Sequence, residues 1–293
     1  MTDVEETMSQ QQQQLPPAVM KIVLGRELAR QRKLAGLTQD DSAEVLKCTQ
    51  QKIAFIETGT SGVKPVELER LLDTYGATDT DRAYANDLAE EANRRAKKGS
   101  FSTRFRQHLR LLVDMEPTCR RLWLYQSLVV PGLLQTEDYM RTVFRAWRPS
   151  PSQHQMDRDT TDRLARQRVL DNTEQKFWFI LDEAALRRTT GSSEIMKAQV
   201  ERLIETIDRP NVELQVVPFS VGYYMGESHE YTIFGYDTDT PVNVVYREHY
   251  DGGEYVGVPD RTSAYLTLWE QHQAAAIGPE QTRRFLLKLA ASL

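Results

Sequence analysis

One segment, from Gln39 to Glu57, constrains the fold of this chain more than any other. Its pattern predicts two short helices joined by a tight turn. Thr38 and Thr49 are candidate N-caps, since a threonine hydroxyl can accept a hydrogen bond from a backbone N–H of the first turn. Two helices that cross steeply need a small residue where their backbones meet, and Ala43 occupies that place. The segment therefore predicts a steeply crossed helix pair.

Further short helices are predicted on both sides of this pair. A first helix spans about residues 21–35, and a fourth begins with Pro65 and stops at Gly76. Proline favours the first helical position, and glycine favours the position after the last. The residues predicted to face inward are Leu24, Leu28, Leu37, Ala43, Leu46, Cys48, Ile53, Ile56, Leu68 and Leu71. Residues 21–76 are therefore expected to form a compact helical domain.

The turn between the two central helices departs from the usual chemistry at one position. Glycine is usual there because the backbone adopts a left-handed conformation, but this chain has Lys47. A non-glycine residue in that conformation costs about 1 kcal/mol of strain, which does not forbid the turn.

The third helix carries an outward face with no packing rationale. Gln50, Gln51, Ala54 and Phe55 lie on its first two turns. A glutamine amide presents a donor and an acceptor side by side, which matches N6 and N7 of adenine, and Phe55 offers an apolar contact to a thymine methyl. Helices of this kind dock in the major groove. The face therefore predicts base recognition, and a helical bundle that binds no DNA is the alternative.

Other residues are placed for the DNA backbone. Lys52 and the helix N-terminus at Gln39 are predicted to contact phosphates, which set register without reading sequence. A net charge of -5 argues only weakly against DNA, because only the docking face must meet phosphates. The predicted DNA-binding residues are Arg32, Gln39, Thr49, Gln50, Gln51, Lys52, Ala54 and Phe55.

Composition and length suggest how the rest of the chain is organised. A chain of 293 residues suggests two domains. Residues 1–20 contain a polyglutamine run and are expected to be a disordered tail. A longer helix is predicted over about 80–98, and residues 77–116 are predicted to be a helical linker. Between Arg94 and Arg110 there are seven Lys or Arg residues and no acid, which indicates either a second phosphate-binding surface or a solvated helix face.

Residues 117–293 are predicted to form an α+β domain with a mixed sheet, because strands and helices do not alternate strictly. The predicted strands are Leu122–Tyr125, Phe177–Leu181, Val212–Val217, Tyr231–Tyr236 and Val242–Tyr246. The predicted helices span about 135–147, 154–170, 192–207, 260–275 and 279–291. Gly252-Gly253 is interpreted as a turn rather than a phosphate cradle. Asp182 and Glu183 are interpreted as helix-capping residues rather than paired catalytic carboxylates.

The sequence argues against several functional classes. Its two cysteines form no C-x-x-C pair, and its five histidines are scattered without metal-ligand spacing. No nucleophile-elbow or nucleotide-binding motif is present, so we expect no catalytic site, cofactor or metal. No apolar run is long enough for a membrane span, and no signal peptide is visible. We therefore expect a cytoplasmic, nucleoid-associated protein.

Several aromatic and histidine side chains cluster near strands and turns of the C-terminal part. They either line a ligand pocket or are ordinary half-buried sheet residues. The set comprises Tyr223, Tyr224, His229, Tyr246, His249 and Tyr250.

Residues 21–76 resemble the xenobiotic-response-element (XRE) helix-turn-helix family, whose fold is that of the lambda and 434 repressors. Thr49-Gln50-Gln51 and the stretch from Ile53 to Gly59 are especially similar to the recognition helix of 434 repressor. The resemblance implies that Gln39, Gln50 and Gln51 contact DNA. Phe55 replaces a further glutamine, so part of the sequence read should differ.

The C-terminal part resembles WhiJ-like regulators of actinomycetes through four motifs. These are Val130-Pro-Gly-Leu-Leu-Gln-Thr-Glu-Asp-Tyr139, Arg163-Leu-Ala-Arg-Gln167, Leu181-Asp-Glu-Ala-Ala-Leu-Arg187 and Val216-Val-Pro-Phe219. The resemblance implies an antitoxin-like arrangement with a small BldB-like partner protein. We expect a homodimeric, sequence-specific transcription regulator, because paired recognition helices read palindromic half-sites. The alternatives are a protein that mainly sequesters its partner and a regulator that senses a small molecule.

Overall fold

The computed structural model describes residues 15–94, 101–147, 152–227, 229–238 and 241–293. The chain divides into two compact units, with the boundary between Thr118 and Cys119. No helix within the described ranges is long and apolar enough to cross a membrane.

The N-terminal unit is helical. Its helices are α1 (Pro17–Leu34), α2 (Gln39–Leu46), α3 (Gln50–Glu57), α4 (Pro65–Tyr75), α5 (Asp79–Asn93) and α6 (Gln107–Met115), with a short 3-10 turn at Phe101–Arg104. The predicted core is confirmed for most positions, since Ala43, Ile53 and Ile56 are buried together with two leucines of α1 and the leucines of α4. The two leucines of α1 are Leu24 and Leu28. Leu37, Leu46 and Cys48 are only half-buried.

The prediction that residues 1–20 are disordered is wrong for the last residues of that segment. Helix α1 begins at Pro17, whose fixed φ suits the first helical turn, and Val19 is already buried. The remainder of that prediction, up to residue 14, falls outside the described residues, as do positions 95–98 at the end of the predicted long helix.

Helix α5 is part of the N-terminal fold rather than of a linker. It packs along α1, and its buried residues recur at helical spacing. They are Ala85, Leu88, Ala89 and Ala92. The spacing i, i+3, i+4, i+7 makes one apolar stripe, which explains why the helix docks instead of running free.

The C-terminal unit contains one six-stranded sheet in the order β3-β2-β1-β4-β5-β6. The strands are β1 (Arg121–Gln126), β2 (Lys176–Asp182), β3 (Val212–Val217), β4 (Tyr231–Tyr236), β5 (Val242–His249) and β6 (Gly252–Val256). Strands β1, β2 and β3 are parallel to one another, whereas β4, β5 and β6 pair antiparallel. The predicted mixed sheet is confirmed.

Strand β6 is an addition to the predicted elements. Gly252 and Gly253 lie in the strand, and the two-residue turn precedes them, so the predicted turn is displaced. A Cβ atom at Gly253 would lie 2.5 Å from the ring of Tyr246, so glycine allows the buried ring to lie against β6.

The helices of the C-terminal unit lie close to the five predicted positions, and the short helix Glu183–Arg187, implied only by the predicted capping role of Asp182 and Glu183, is an addition. The helices are α7 (Glu137–Trp147), α8 (Gln153–Gln167), α9 (Glu183–Arg187), α10 (Ser193–Ile207), α11 (Pro259–Ala275) and α12 (Pro279–Ser292). Trp269 of α11 joins a core cluster with Tyr125, Ile180 and Tyr231 on one side of the sheet. Helix α12 packs against α10 and β3.

Candidate nucleic-acid interface

Helix α3 is held by capping and by a strained turn. Thr49 accepts a hydrogen bond from the backbone N–H of Lys52 at 3.3 Å, and Thr38 forms a capping box with Asp41 at the start of α2. Lys47 between them has φ 52° and ψ 49°, the left-handed conformation predicted for that position. It is the one non-glycine residue with positive φ in the described part of the chain.

Gly25 allows α1 to approach the end of α3 at backbone distance. A Cβ atom at this position would lie 2.4 Å from the carbonyl oxygen of Ile56 and 2.6 Å from that of Glu57. No real side chain tolerates such contacts. The orientation of α3 is therefore fixed by direct packing of its last turn on α1.

The outward face of α3 is presented as the sequence predicts. Gln50 and Gln51 are exposed, Ala54 is half-buried, and the Phe55 side chain is 43% exposed. Ile53 and Ile56 on the opposite side are buried. An exposed phenylalanine beside two exposed amides gives this face both an apolar contact and donor–acceptor pairs for base edges.

Arg32 does not lie on this face, although it was predicted to bind DNA. Its Nε and Nη2 donate to the two carboxylate oxygens of Glu57 at 2.6 and 3.0 Å, and its Nη1 donates to the carbonyl of Leu37 at 2.7 Å. The Arg32 residue is 8% exposed. Its pKa is raised, chiefly by the hydrogen bonds to Glu57. All three guanidinium nitrogens of Arg32 donate hydrogen bonds within the unit, so the side chain is not available to a phosphate in this arrangement.

Glu57 links that buried pair to the candidate recognition residues. Its Oε2 accepts a hydrogen bond from the Gln39 amide at 2.8 Å, and the Oε1 of Gln39 in turn accepts one from the Gln50 amide. A chain of hydrogen bonds therefore runs from Arg32 to Gln50. Both glutamine amides are oriented by it before any ligand arrives.

Lys52 is also engaged within the unit. Its Nζ donates to Glu67 of α4, and that carboxylate accepts a second hydrogen bond from the Lys64 backbone N–H at 3.2 Å. Burial, the largest single influence, raises the pKa of Glu67, but these hydrogen bonds and the positive charges of Lys52 and Lys64 together outweigh it, so the net pKa is lowered. A phosphate contact from Lys52 would require sharing or breaking this ion pair.

Sequence reasoning missed Glu57 altogether. The available signal was a carboxylate on the last turn of a short helix, with an arginine on the helix predicted to pack beside it.

The basic stretch from Arg94 to Arg110 is described only in part, because residues 95–100 lie outside the described ranges. In the visible portion, Arg110 donates to the carbonyl of Phe105 at 3.2 Å.

The four C-terminal motifs form two interlocked pairs. In the first pair, Gln167 donates to the carbonyls of Gly132 and Gln135 at 2.9 and 2.8 Å, and Arg163 donates to the Gln135 side chain at 2.7 Å. These contacts satisfy the polar backbone of a buried loop.

In the second pair, Asp182 accepts a hydrogen bond from the Ala184 backbone at 2.7 Å, which confirms its predicted capping role. Glu183 accepts one from the Phe219 backbone N–H at 2.8 Å. The contact ties the end of β2 to the loop that follows β3.

The aromatic set predicted near the strands and turns does not form one pocket. Tyr246 is buried, whereas Tyr223 and Tyr250 are 84% and 97% exposed. Tyr224 donates to Asp182 at 2.6 Å, and its hydroxyl oxygen lies 2.6 Å from that of Tyr125. These tyrosines therefore lie in different environments within the unit and do not line a common cavity.

Comparison with known proteins gives two matches to family models. Residues 23–85 match a helix-turn-helix domain, and residues 109–288 match a domain of unknown function (DUF5753). Neither the curated proteins nor the solved structures contain a match to the chain.

Proposed function

Because the chain belongs to the family defined by the domain of unknown function DUF5753 and carries a helix-turn-helix domain at its N-terminal end, we propose that it is a sequence-specific transcription regulator. In this proposal α3 enters the major groove of an operator. The protein acts on the chromosome and performs no catalysis.

The observation that carries the proposal is the exposed face of α3 above a buried scaffold. Gln50, Gln51 and Phe55 project outward, while the hydrogen-bond chain through Gln39 and Glu57 holds the Gln50 amide in place. A preorganised amide loses little conformational freedom when it binds. Each well-formed bidentate contact to a base contributes about 1–3 kcal/mol of discrimination.

The proposal assigns different tasks to the predicted DNA contacts. Gln50, Gln51, Ala54 and Phe55 face base edges, while Thr49 and the N-terminus of α2 at Gln39 face phosphates. The two other members of the predicted set, Arg32 and Lys52, support the surface through their ion pairs with Glu57 and Glu67.

The C-terminal unit is proposed to bind a partner or signal that changes operator affinity. The resemblance to WhiJ-like, antitoxin-like regulators supports a small BldB-like protein as that partner. One pair of its motifs ties the loop after β1 to α8, and the other ties the end of β2 to the loop after β3, which suits a rigid docking domain.

Selection from random duplex DNA with purified full-length protein tests the proposal. We expect a palindromic motif to be enriched by the wild-type protein and lost in Gln50→Ala/Gln51→Ala. Failure of the wild type to enrich any motif, with or without the product of a neighbouring gene, would contradict it. If the double variant keeps full biological activity, sequestration of the partner is the main function instead.

A further inference from the structure

The loop after β3 exposes an unusual series of apolar side chains. Phe219, Val221, Tyr223 and Met225 are 58%, 42%, 84% and 63% exposed, and they alternate with residues of other kinds. Leu128, in the loop after β1, is 54% exposed. Single exposed apolar residues are ordinary, but a concentration of them on one soluble unit marks an interaction site. We call these five residues the apolar loop surface.

The contacts of the two loops bring the surface to one end of the sheet. Glu230, which follows the loop after β3, accepts hydrogen bonds from the backbone N–H groups of Ser127 and Leu128 at 2.9 and 3.0 Å. The hydroxyl of Tyr125 donates to the carbonyl of Glu227 at 2.9 Å. The loop after β3 therefore lies across the end of β1, where Leu128 emerges.

The loop is anchored, so its exposed residues are held in place. The Phe219 backbone N–H is bonded to Glu183, and Tyr224 turns inward to donate to Asp182. At the far end, Nε2 of His272 lies 2.9 Å from the carbonyl of Met225. Gly226 is packed so closely that a Cβ atom would lie 2.6 Å from Leu268. These attachments fix the backbone on both sides of the exposed side chains and reduce the entropy lost on association.

We propose that the apolar loop surface is the dimer interface of this protein, and that its occupant is the same surface of a second copy. In a two-fold contact a patch packs on its own copy, so a charge near the two-fold axis meets a like charge. The segment from Val217 to Gly226 has no charged residue. A neutral apolar segment is the kind of surface that can pair with itself.

The size of the surface suits the centre of a dimer interface. Phe and Tyr side chains each bury about 150–250 Å² when fully covered. The five exposed side chains together supply roughly 500 Å², against about 800 Å² per partner in a standard interface. The polar rim around them would supply the remainder. The inference rests on the proposed function in one respect, since a palindromic operator needs two recognition helices in one particle.

The test is sedimentation equilibrium of the full-length protein. We expect the wild type to have twice the chain mass of 33.7 kDa. The variant Phe219→Ser/Tyr223→Ser should raise the dimer dissociation constant at least 100-fold, which corresponds to about 2.7 kcal/mol, because it truncates two central aromatic anchors. The matched control Leu164→Ser/Leu287→Ser removes exposed leucines from α8 and α12 and should leave the mass unchanged.

A second variant tests the interface independently, in case the first variant does not fold. Met225→Glu places a carboxylate in each copy of the interface and should give monomers whose circular dichroism spectrum at 25 °C matches that of the wild type, with a lower melting temperature because the dimer contact no longer stabilises the fold. A monomeric wild type overturns the inference, and so does a folded loop variant that remains dimeric. Gln50→Ala/Gln51→Ala should stay dimeric. A dimer that depends on this loop but selects no DNA motif would remove the proposed function and leave the interface intact.

Discussion

Arg32 and Glu57 form a buried two-point ion pair that joins α1 to the last turn of α3. Their side chains are 10% and 7% exposed, so both charges are largely removed from water. A buried pair of this kind adds little net stability compared with an apolar pair, but loss of one partner is costly. The pair therefore makes the position of the recognition helix depend on both residues being present.

Replacement of Arg32 tests this dependence. Arg32→Met should lower the free energy of unfolding of the N-terminal unit by about 3–5 kcal/mol, because it leaves the Glu57 carboxylate buried without its partner. Urea denaturation followed by circular dichroism measures the change. The control is Arg30→Met, since Arg30 pairs with Glu27 and Asp81 but its side chain is 48% exposed. That control should cost less than about 1 kcal/mol. Equal losses in the two variants would contradict a special role for the buried pair.

The left-handed backbone at Lys47 predicts a stabilising substitution. Lys47→Gly should raise the unfolding free energy by about 1 kcal/mol, because glycine adopts this conformation without the steric cost that a Cβ atom brings. Thermal denaturation of wild type and variant checks the gain. Lys47→Ala keeps the Cβ atom and should give no gain, so a comparable rise in the alanine variant would refute strain as the cause.

The exposed ring of Phe55 predicts recognition of a thymine methyl group. Once an operator is known, replacing the contacted thymine by deoxyuridine should weaken wild-type binding about fourfold. The contact then no longer buries a methyl group, and burial of a group of that size contributes about 0.8 kcal/mol. Phe55→Ala should bind the two duplexes equally well. Fluorescence anisotropy with both duplexes measures the double difference. If the variant remains as sensitive to the methyl group as the wild type, another residue makes that contact.

His272 makes the stability of the C-terminal unit dependent on pH. Burial lowers its pKa from 6.5 to about 4, despite a hydrogen bond to the carbonyl of Met225. In the neutral ring Nε2 donates to that carbonyl, and Nδ1, at 3.0 Å from the Tyr231 hydroxyl, accepts from it. Above pH 6.5 the ring is neutral in both folded and unfolded chains. As the pH falls from 6.5 towards 4, the unfolded chain takes up the proton first, so stability is lost.

The free energy of unfolding should fall by up to about 3 kcal/mol over that interval, since each unit of difference between the folded and unfolded pKa values corresponds to about 1.36 kcal/mol. Urea denaturation at several pH values measures it. His272→Gln can keep a donor and an acceptor without titrating, so its stability should fall less over the same interval. The exposed His154→Gln is the matched control and should follow the wild type. Parallel curves for His272→Gln and the wild type would rule out this histidine as the source.

Much of the fold and part of the site could be predicted from local sequence. Thr38, Thr49, Pro65 and Gly76 determine where the short helices begin and end, and capping chemistry acts within one turn of the chain. The outward face of α3 follows from helical spacing alone. These features depend on neighbours in sequence, which is why the pattern revealed them.

The features that could not be predicted depend on residues distant in sequence. Arginine is a residue type that commonly contacts DNA, and only the proximity of Arg32 to Glu57 shows that its side chain is buried inside the N-terminal unit. Lys52 is likewise paired with Glu67 by the packing of α4 beside α3. The alternation in β6 was hidden by its two glycines, and the close approach of the Tyr246 ring explains why the second of them, Gly253, is a glycine.

The backbone contact at Gly25 also bears on how a protein of this kind can change its target. The tilt of α3 is set by main-chain packing against α1 and by the Arg32–Glu57 pair, so the outward side chains of Gln51 and Phe55 carry little share of holding the helix, and Gln50 adds one hydrogen bond to Gln39. Positions 51 and 55 can therefore be exchanged one at a time without loosening the domain. Duplicated copies of such a gene would be free to diverge towards new operators while each remained folded.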